Sequence, residues 1–175
     1  MNVVVAIEHH FLQVGDEVHT QLAFGYAYWR EYLDVFSGVI VLARVGTADR
    51  APEGWFRADG PHVRFVAVPD YTGPRQFFLS LPGVLRAARA AARIGDRFIL
   101  RSGNVCTSLW IWLKLLGRPY AREVQGKVGE SISHGLSKRY RLTAGLMAGL
   151  SDWLARLQVR GAFAASYVSR DCRQH

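Results

Sequence analysis

The sequence predicts one α/β domain, a parallel sheet of about six strands with helices on both faces. Three observations carry that expectation. Short, β-branched apolar runs recur six times along the 175 residues, and stretches of helical periodicity fall between them. No internal repeat, low-complexity tract or linker interrupts the alternation. Strands that alternate with helices pair in parallel under crossover connections, and a chain of this length fits a single domain with a continuous core.

The first run, NVVVAI at residues 2–7, is apolar at every position but its first, as a strand covered on both faces requires. A loop with Gly15 follows. Residues 17–32 then read as a helix, with Val18, Leu22, Tyr26 and Trp29 spaced by four, four and three and Asp16 placed as its N-cap. Residues 37–45 (SGVIVLARV) form the second strand, and residues 47–60, rich in Gly, Pro and charge, an exposed loop. The third strand, residues 63–68 (VRFVAV), stops at Pro69. Residues 75–94 are helical, with a break or kink expected at Pro82-Gly83, since proline lacks the amide hydrogen a helix interior needs. Residues 97–101 (RFILR) give the fourth strand. Residues 105–116 give a helix with Leu109, Trp112, Leu113 and Leu116 on one side, ended by Gly117 and Pro119. Residues 120–124 (YAREV) are the fifth strand, residues 131–160 are helical overall with an interruption near 149–152, and residues 162–169 (AFAASYVS) are the sixth strand.

Half the residues are hydrophobic and 21% are charged, a globular rather than disordered composition. The N-terminal MNVVVAIEHH lacks the basic and long apolar regions of a signal peptide, and no run approaches the roughly 20 apolar residues of a spanning helix. A soluble or peripheral, cytoplasmic protein is expected. Cys106 and Cys172 are far apart with no CxxC spacing, which offers neither a disulfide framework nor a zinc site. The net charge of +8 is uneven: residues 1–80 hold nine acidic and six basic side chains, residues 81–175 five acidic and sixteen basic. Such asymmetry suits contact with anions, whether phospholipid headgroups, nucleic acid or a phosphate-bearing ligand; a basic solvated surface without a partner is the plain alternative. The basic residues gather at Arg86, Arg89, Arg93 and Arg97, and at Lys138, Arg139 and Arg141. The latter three begin an amphipathic helix, residues 136–157, which either packs on the core with a solvated basic face or meets anionic lipid at the inner face of a membrane. No RRM, helix-turn-helix or aromatic-basic signature is present, so nucleic acid is not the expected partner.

Ligands of open parallel sheets bind outside the carboxyl ends of the strands. Those ends hold Glu8, His9 and His10, then Gly15 to His19; Asp70 and Tyr71; Ser102, Gly103 and Asn104; and Gln125, Gly126 and Lys127. Neither GxGxxG nor a P-loop occurs, which counts against a nicotinamide dehydrogenase or an NTPase. His9 and His10 lack a third ligand at fixed spacing and read as structural loop residues. His19 sits in the first turn of the expected helix, facing either a ligand or the protein. Asp16 and Glu17 either cap that helix or meet sugar hydroxyls. Arg101 either anchors an anion or pairs at the surface, and Ser102 and Asn104 either cap the next helix or bind a ligand. Glu123, inside an apolar strand, is either paired with a basic residue or directed into the cleft. Cys106 reads as a small helix residue.

Four segments together resemble the N-terminal half of the family 4 retaining glycosyltransferases. They are Gly15-Asp16-Glu17-Val18-His19; Arg101-Ser102-Gly103-Asn104; Gly117-Arg118-Pro119-Tyr120-Ala121-Arg122-Glu123-Val124-Gln125-Gly126; and Ala164-Ala165-Ser166-Tyr167-Val168-Ser169-Arg170. The family usually carries a double glycine in the first of these, and the tail Asp171-Cys172-Arg173-Gln174-His175 departs from the apolar helix start expected there. The resemblance covers nearly the whole chain and implies a Rossmann-like domain, one half of a GT-B fold, that binds the acceptor. The nucleotide-sugar donor would be bound mainly by a second domain, which the resemblance places beyond these residues. It further implies retaining, metal-free transfer with the leaving phosphates stabilised electrostatically. The acceptor, a glycan or a lipid-linked one, would meet Gly15, Asp16, His19, Arg101, Asn104 and Gln125. No catalytic residue and no cofactor of the chain's own is implied. An apolar cleft wall would favour self-association or pairing with a donor domain. The competing reading is a non-catalytic Rossmann-like module for a nucleotide or an anion.

Overall fold

The computed structural model describes residues 1–21, 23–101, 103–124, 149–150 and 153–167. The apolar run at the N-terminus begins the central strand, β1 (Asn2–Val14), which is twice as long as its apolar part. Val3 to Ile7 are buried, and alternate residues face opposite sides of the sheet, as strand geometry requires. Val4 and Ala6 join a cluster with Ile40, Leu42, Val84, Ala88, Leu109 and Leu113, whereas Val3 and Val5 join Val39, Val41, Phe11 and Trp29.

β1 pairs in parallel with β3 (Gly38–Thr47) on one side and β6 (Arg97–Leu100) on the other. β5 (Val63–Pro69) adds to β3, β7 (Ala121–Val124) to β6, and β8 (Ala164–Tyr167) to β7, all parallel. The six parallel strands therefore run in the order β5-β3-β1-β6-β7-β8. Helix α1 (Tyr26–Leu33) covers one face through Trp29. Helices α2 (Gly73–Ile94) and α3 (Asn104–Leu115) cover the other. Residues 153–160 are also helical, and buried Gln158 ties them in: Tyr120 Oη donates to its carbonyl (2.8 Å) and its Nε2 donates to Thr107 Oγ1 (3.1 Å).

The sheet is mixed rather than purely parallel, because two short antiparallel strands extend it to eight. Beyond Gly15, which turns the chain at φ +58, β2 (Glu17–Thr20) folds back on Leu12–Val14, and β4 (Phe56–Arg57) pairs with β2. This corrects the expected helix over residues 17–32. Val18 and Thr20 are buried in alternation with Glu17 and His19, a strand period, and the helix begins only at Tyr26. Asp16 is accordingly a turn residue and not an N-cap, and the exposed loop at 47–60 contains a strand.

Of the break or kink expected at Pro82-Gly83, the break is absent: α2 is continuous through it. Pro82 stands on the exposed side, and the carbonyl it leaves without a helical partner is that of exposed Phe78. Gly83 beside it packs so closely on Pro69 that a Cβ would clash, and burial beyond the proline (Val84, Ala88, Ala91, Ala92) anchors the second half of the helix on the sheet. Gln125, Lys138, Arg139, Arg141, Ser102 and most of the helix expected at 136–157 lie outside the described residues. No helix among the described residues is long and apolar enough to cross a membrane.

Candidate active-site crevice at the carboxyl edge

On the β6 side of β1, β6 covers Val3–Ala6 and β2 covers Leu12–Val14. Between them the β1–β3 register shifts, from Ala6 to His10, and Glu8, His9 and His10 fall in this stretch. The gap lies where successive crossover helices pass from one face of the sheet to the other, the position at which such sheets bind ligands.

Glu8 organises the first half of the crevice. Its Oε2 accepts the backbone N–H of Val105 in the first turn of α3 (2.9 Å), and its Oε1 accepts the hydroxyl of Tyr71 (2.5 Å). Arg44 Nε lies 3.3 Å from Oε1, an ion pair without hydrogen-bond alignment. The Arg44 guanidinium also donates to the Tyr71 carbonyl (2.7 Å) and stacks on the Tyr71 ring at 4.9 Å. The Asn104 side chain stands beside the Tyr71 hydroxyl and acts to lower its pKa. Burial first, and the bond to Glu8 second, hold the Tyr71 phenol far above its ordinary range, so it stays protonated and donates. Gly103, at φ +96, is a glycine for two reasons. Other residues resist that backbone conformation, and a Cβ would collide with the Glu8 side chain.

Arg101 organises the second half. Side-chain exposure is 7% for Arg101 and 17% for Glu123, and Nη2 meets Glu123 Oε1 at 2.6 Å. Nη1 donates to Tyr28 Oη at 2.6 Å, and the guanidinium lies over the rings of Phe24 (4.8 Å) and Tyr28 (5.6 Å). Phe24 holds φ +65, rare for a bulky residue, directly beneath this cation. Tyr32 stands 3.3 Å from the Tyr28 hydroxyl. Behind this group the buried Arg122 donates to the Arg101 carbonyl, and burial lowers its basicity. Buried Cys106 donates to the Ala6 carbonyl (3.1 Å), and burial pushes its thiol up to about 12, so it is no nucleophile.

The hairpin forms the outer wall. Thr20 Oγ1 donates to the Ala23 carbonyl (2.8 Å), so at its 2.9 Å contact with His9 Nε2 it accepts, which places the His9 proton on Nε2. Burial first, then His10 and Arg44, lower the His9 pKa. His10 Nδ1 meets Asp70 Oδ1 at 3.0 Å, with Trp55 at its edge.

Of the residues selected from sequence, Arg101 and Asn104 lie in this crevice. Gly15 and Asp16 sit at the hairpin turn. His19, on β2 opposite Leu12, has Nε2 3.7 Å from Glu17 and a buried Nδ1 without a hydrogen-bond partner among the described residues. Of the two readings of Glu123, pairing with a basic residue is the one realised. Glu8 and Tyr71 stood among the strand-end residues but not among those expected to meet the acceptor, and Arg44 and Tyr28 stood in neither set. Arg44 carries the same signal as Glu123, a charge inside an apolar strand, and Glu8 is the first charge after the apolar run at residues 2–7. Among the described residues no three His, Cys, Asp or Glu side chains gather as metal ligands. Compared with protein-family models and with curated proteins, the chain matches none.

Proposed function

We propose that the crevice binds a carbohydrate and that the domain is the Rossmann-like, acceptor-side half of a retaining glycosyltransferase. The supporting observation is the Glu8–Val105 hydrogen bond. An open helix N-terminus at this point of the sheet attracts phosphate. Here the chain's own carboxylate takes that place, which disfavours a nucleotide diphosphate and favours a neutral, hydroxyl-rich ligand. The groups around it suit such a ligand. Glu8 and Arg44 are held by hydrogen bonds, Asn104 stands beside them, and Tyr28 and Phe24 bring partly exposed ring surface to the same crevice. The parallel order β5-β3-β1-β6-β7-β8 and the resemblance of the four sequence segments support the wider assignment. Donor binding then falls to a partner domain, and Arg101 and Asn104 position the acceptor.

Saturation-transfer NMR tests the reading on the purified chain, with hexoses and short oligosaccharides in parallel with UDP and GDP. Transfer to sugar ring protons, weakened by Asn104→Ala in a variant with unchanged circular dichroism, is the expected result. Transfer to the nucleotides alone would replace this reading with that of a nucleotide-binding module.

A further inference from the structure

We infer that the outer face of the α2–α3 layer docks on an anionic lipid surface. The argument is independent of the sugar reading and begins with α2. Its buried residues, Val84, Ala88, Ala91 and Ala92, define one side of the helix. The opposite side carries Arg75, Leu79, Pro82, Arg86, Ala90 and Arg93, all exposed, at spacings of four, three, four, four and three. From Arg75 to Arg93 this stripe runs for about 27 Å. Leu79 is 75% exposed, and Phe78 flanks it at 59%.

Helix α3 packs beside α2 on the same sheet face and continues the surface. Arg89 of α2 stacks on Trp112 of α3 at 5.3 Å, and Arg118 donates to the Gly95 carbonyl at 2.7 Å, which joins the two C-terminal ends. Away from the core α3 presents Ile111, Lys114 and Leu115, the last 70% exposed.

Charge identifies the occupant. Neither helix contains an acidic residue. Between Tyr71 and Tyr120 the exposed Lys and Arg side chains are Arg75, Arg86, Arg89, Arg93, Arg97 and Lys114, against a single acid, Asp96, whose carboxylate accepts the Asn2 N–H. A uniformly cationic surface with bulky apolar side chains standing out of it suits the boundary between headgroups and acyl chains. There the arginines meet lipid phosphates and the leucines enter the apolar zone. A nucleic acid fits less well, since its bases stack on aromatic rings and the exposed apolar residues here are aliphatic but for Phe78.

Co-sedimentation of the full chain with vesicles decides the matter, using phosphatidylcholine alone and a two-to-one mixture of phosphatidylcholine and phosphatidylglycerol, at low and high salt. The mixed vesicles are expected to carry the protein down at low salt, the neutral ones not, and high salt to release it. Arg86→Gln with Arg93→Gln should weaken binding by about fivefold for each arginine removed. Leu79→Ser with Leu115→Ser should weaken it while leaving the salt dependence in place. All four side chains are exposed, so circular dichroism of the variants should match that of the parent. Failure to sediment with the mixed vesicles, or binding indifferent to both pairs of substitutions, overturns the proposal. Tighter binding to a duplex oligonucleotide than to these vesicles overturns it in favour of nucleic acid.

Discussion

Glu8 closes the N-terminus of a helix that begins almost a hundred residues later, its Oε2 taking the Val105 N–H at 2.9 Å. The same carboxylate holds the Tyr71 hydroxyl and faces Arg44, so β1, β3, the segment after β5 and one helix meet at a single side chain.

Glu8→Ala should therefore cost about 3 kcal/mol, because it leaves an amide, a phenol and a guanidinium without their partner. Urea denaturation measures it. The same variant should gain affinity for inorganic phosphate at the vacated helix end, readable by calorimetry. A variant as stable as the parent, or one that stays indifferent to phosphate, would show that the carboxylate does not occupy an anion site.

Arg101 and Glu123 invite a double-mutant cycle. Arg101→Met or Glu123→Leu alone leaves a largely buried charge and should cost about 3–5 kcal/mol. The double variant should lose less than the sum of the two, by about 1 kcal/mol or more. Additive losses would show that the two side chains are not energetically coupled.

Gly103→Ala and Gly117→Ala separate backbone strain from collision. Both glycines have positive φ, but nothing lies within 4 Å of a Cβ built at Gly117, whereas one at Gly103 meets Glu8. Gly117→Ala should cost about 1–2 kcal/mol and Gly103→Ala distinctly more. Equal losses in a thermal melt would remove the close approach of Glu8 as the reason for a glycine at 103.

His9 should make stability pH-dependent. Its folded pKa is lowered, chiefly by burial, so between that value and the unfolded value of about 6.5 the unfolded chain binds the extra proton. Stability from this group is present above pH of about 6.5 and is lost as pH falls from there toward the folded pKa. His9→Gln should flatten this part of the Tm-against-pH curve. An unchanged slope would assign the acid sensitivity to other groups.

The parallel strands were legible because each is a short apolar run whose burial depends on its own residues; Val3 to Ile7 and Val39 to Ala43 need no knowledge of their neighbours to read as covered on both faces. The end of α3 was equally local, set by Gly117 and Pro119. The hairpin was not. Four residues, Glu17–Thr20, are too few to display a period, and Val18 aligns by chance with Leu22, Tyr26 and Trp29 at helical spacing. What makes them a strand is pairing with Leu12–Val14 and with Phe56–Arg57, the second of these contacts some forty residues away.

The crevice divides in the same way. The sequence determined that ionisable residues follow the apolar runs, because those runs can be counted along the chain; that β1 continues through Glu8, His9 and His10 to Val14 it did not show. Only the tertiary structure decided that Glu8 serves Val105, Tyr71 and Arg44, that Glu123 serves Arg101, and that Gly103 makes room for Glu8. Burial and backbone preference act between near neighbours in sequence, whereas a hydrogen bond or ion pair depends on distance in space, which the order of the strands in the sheet sets.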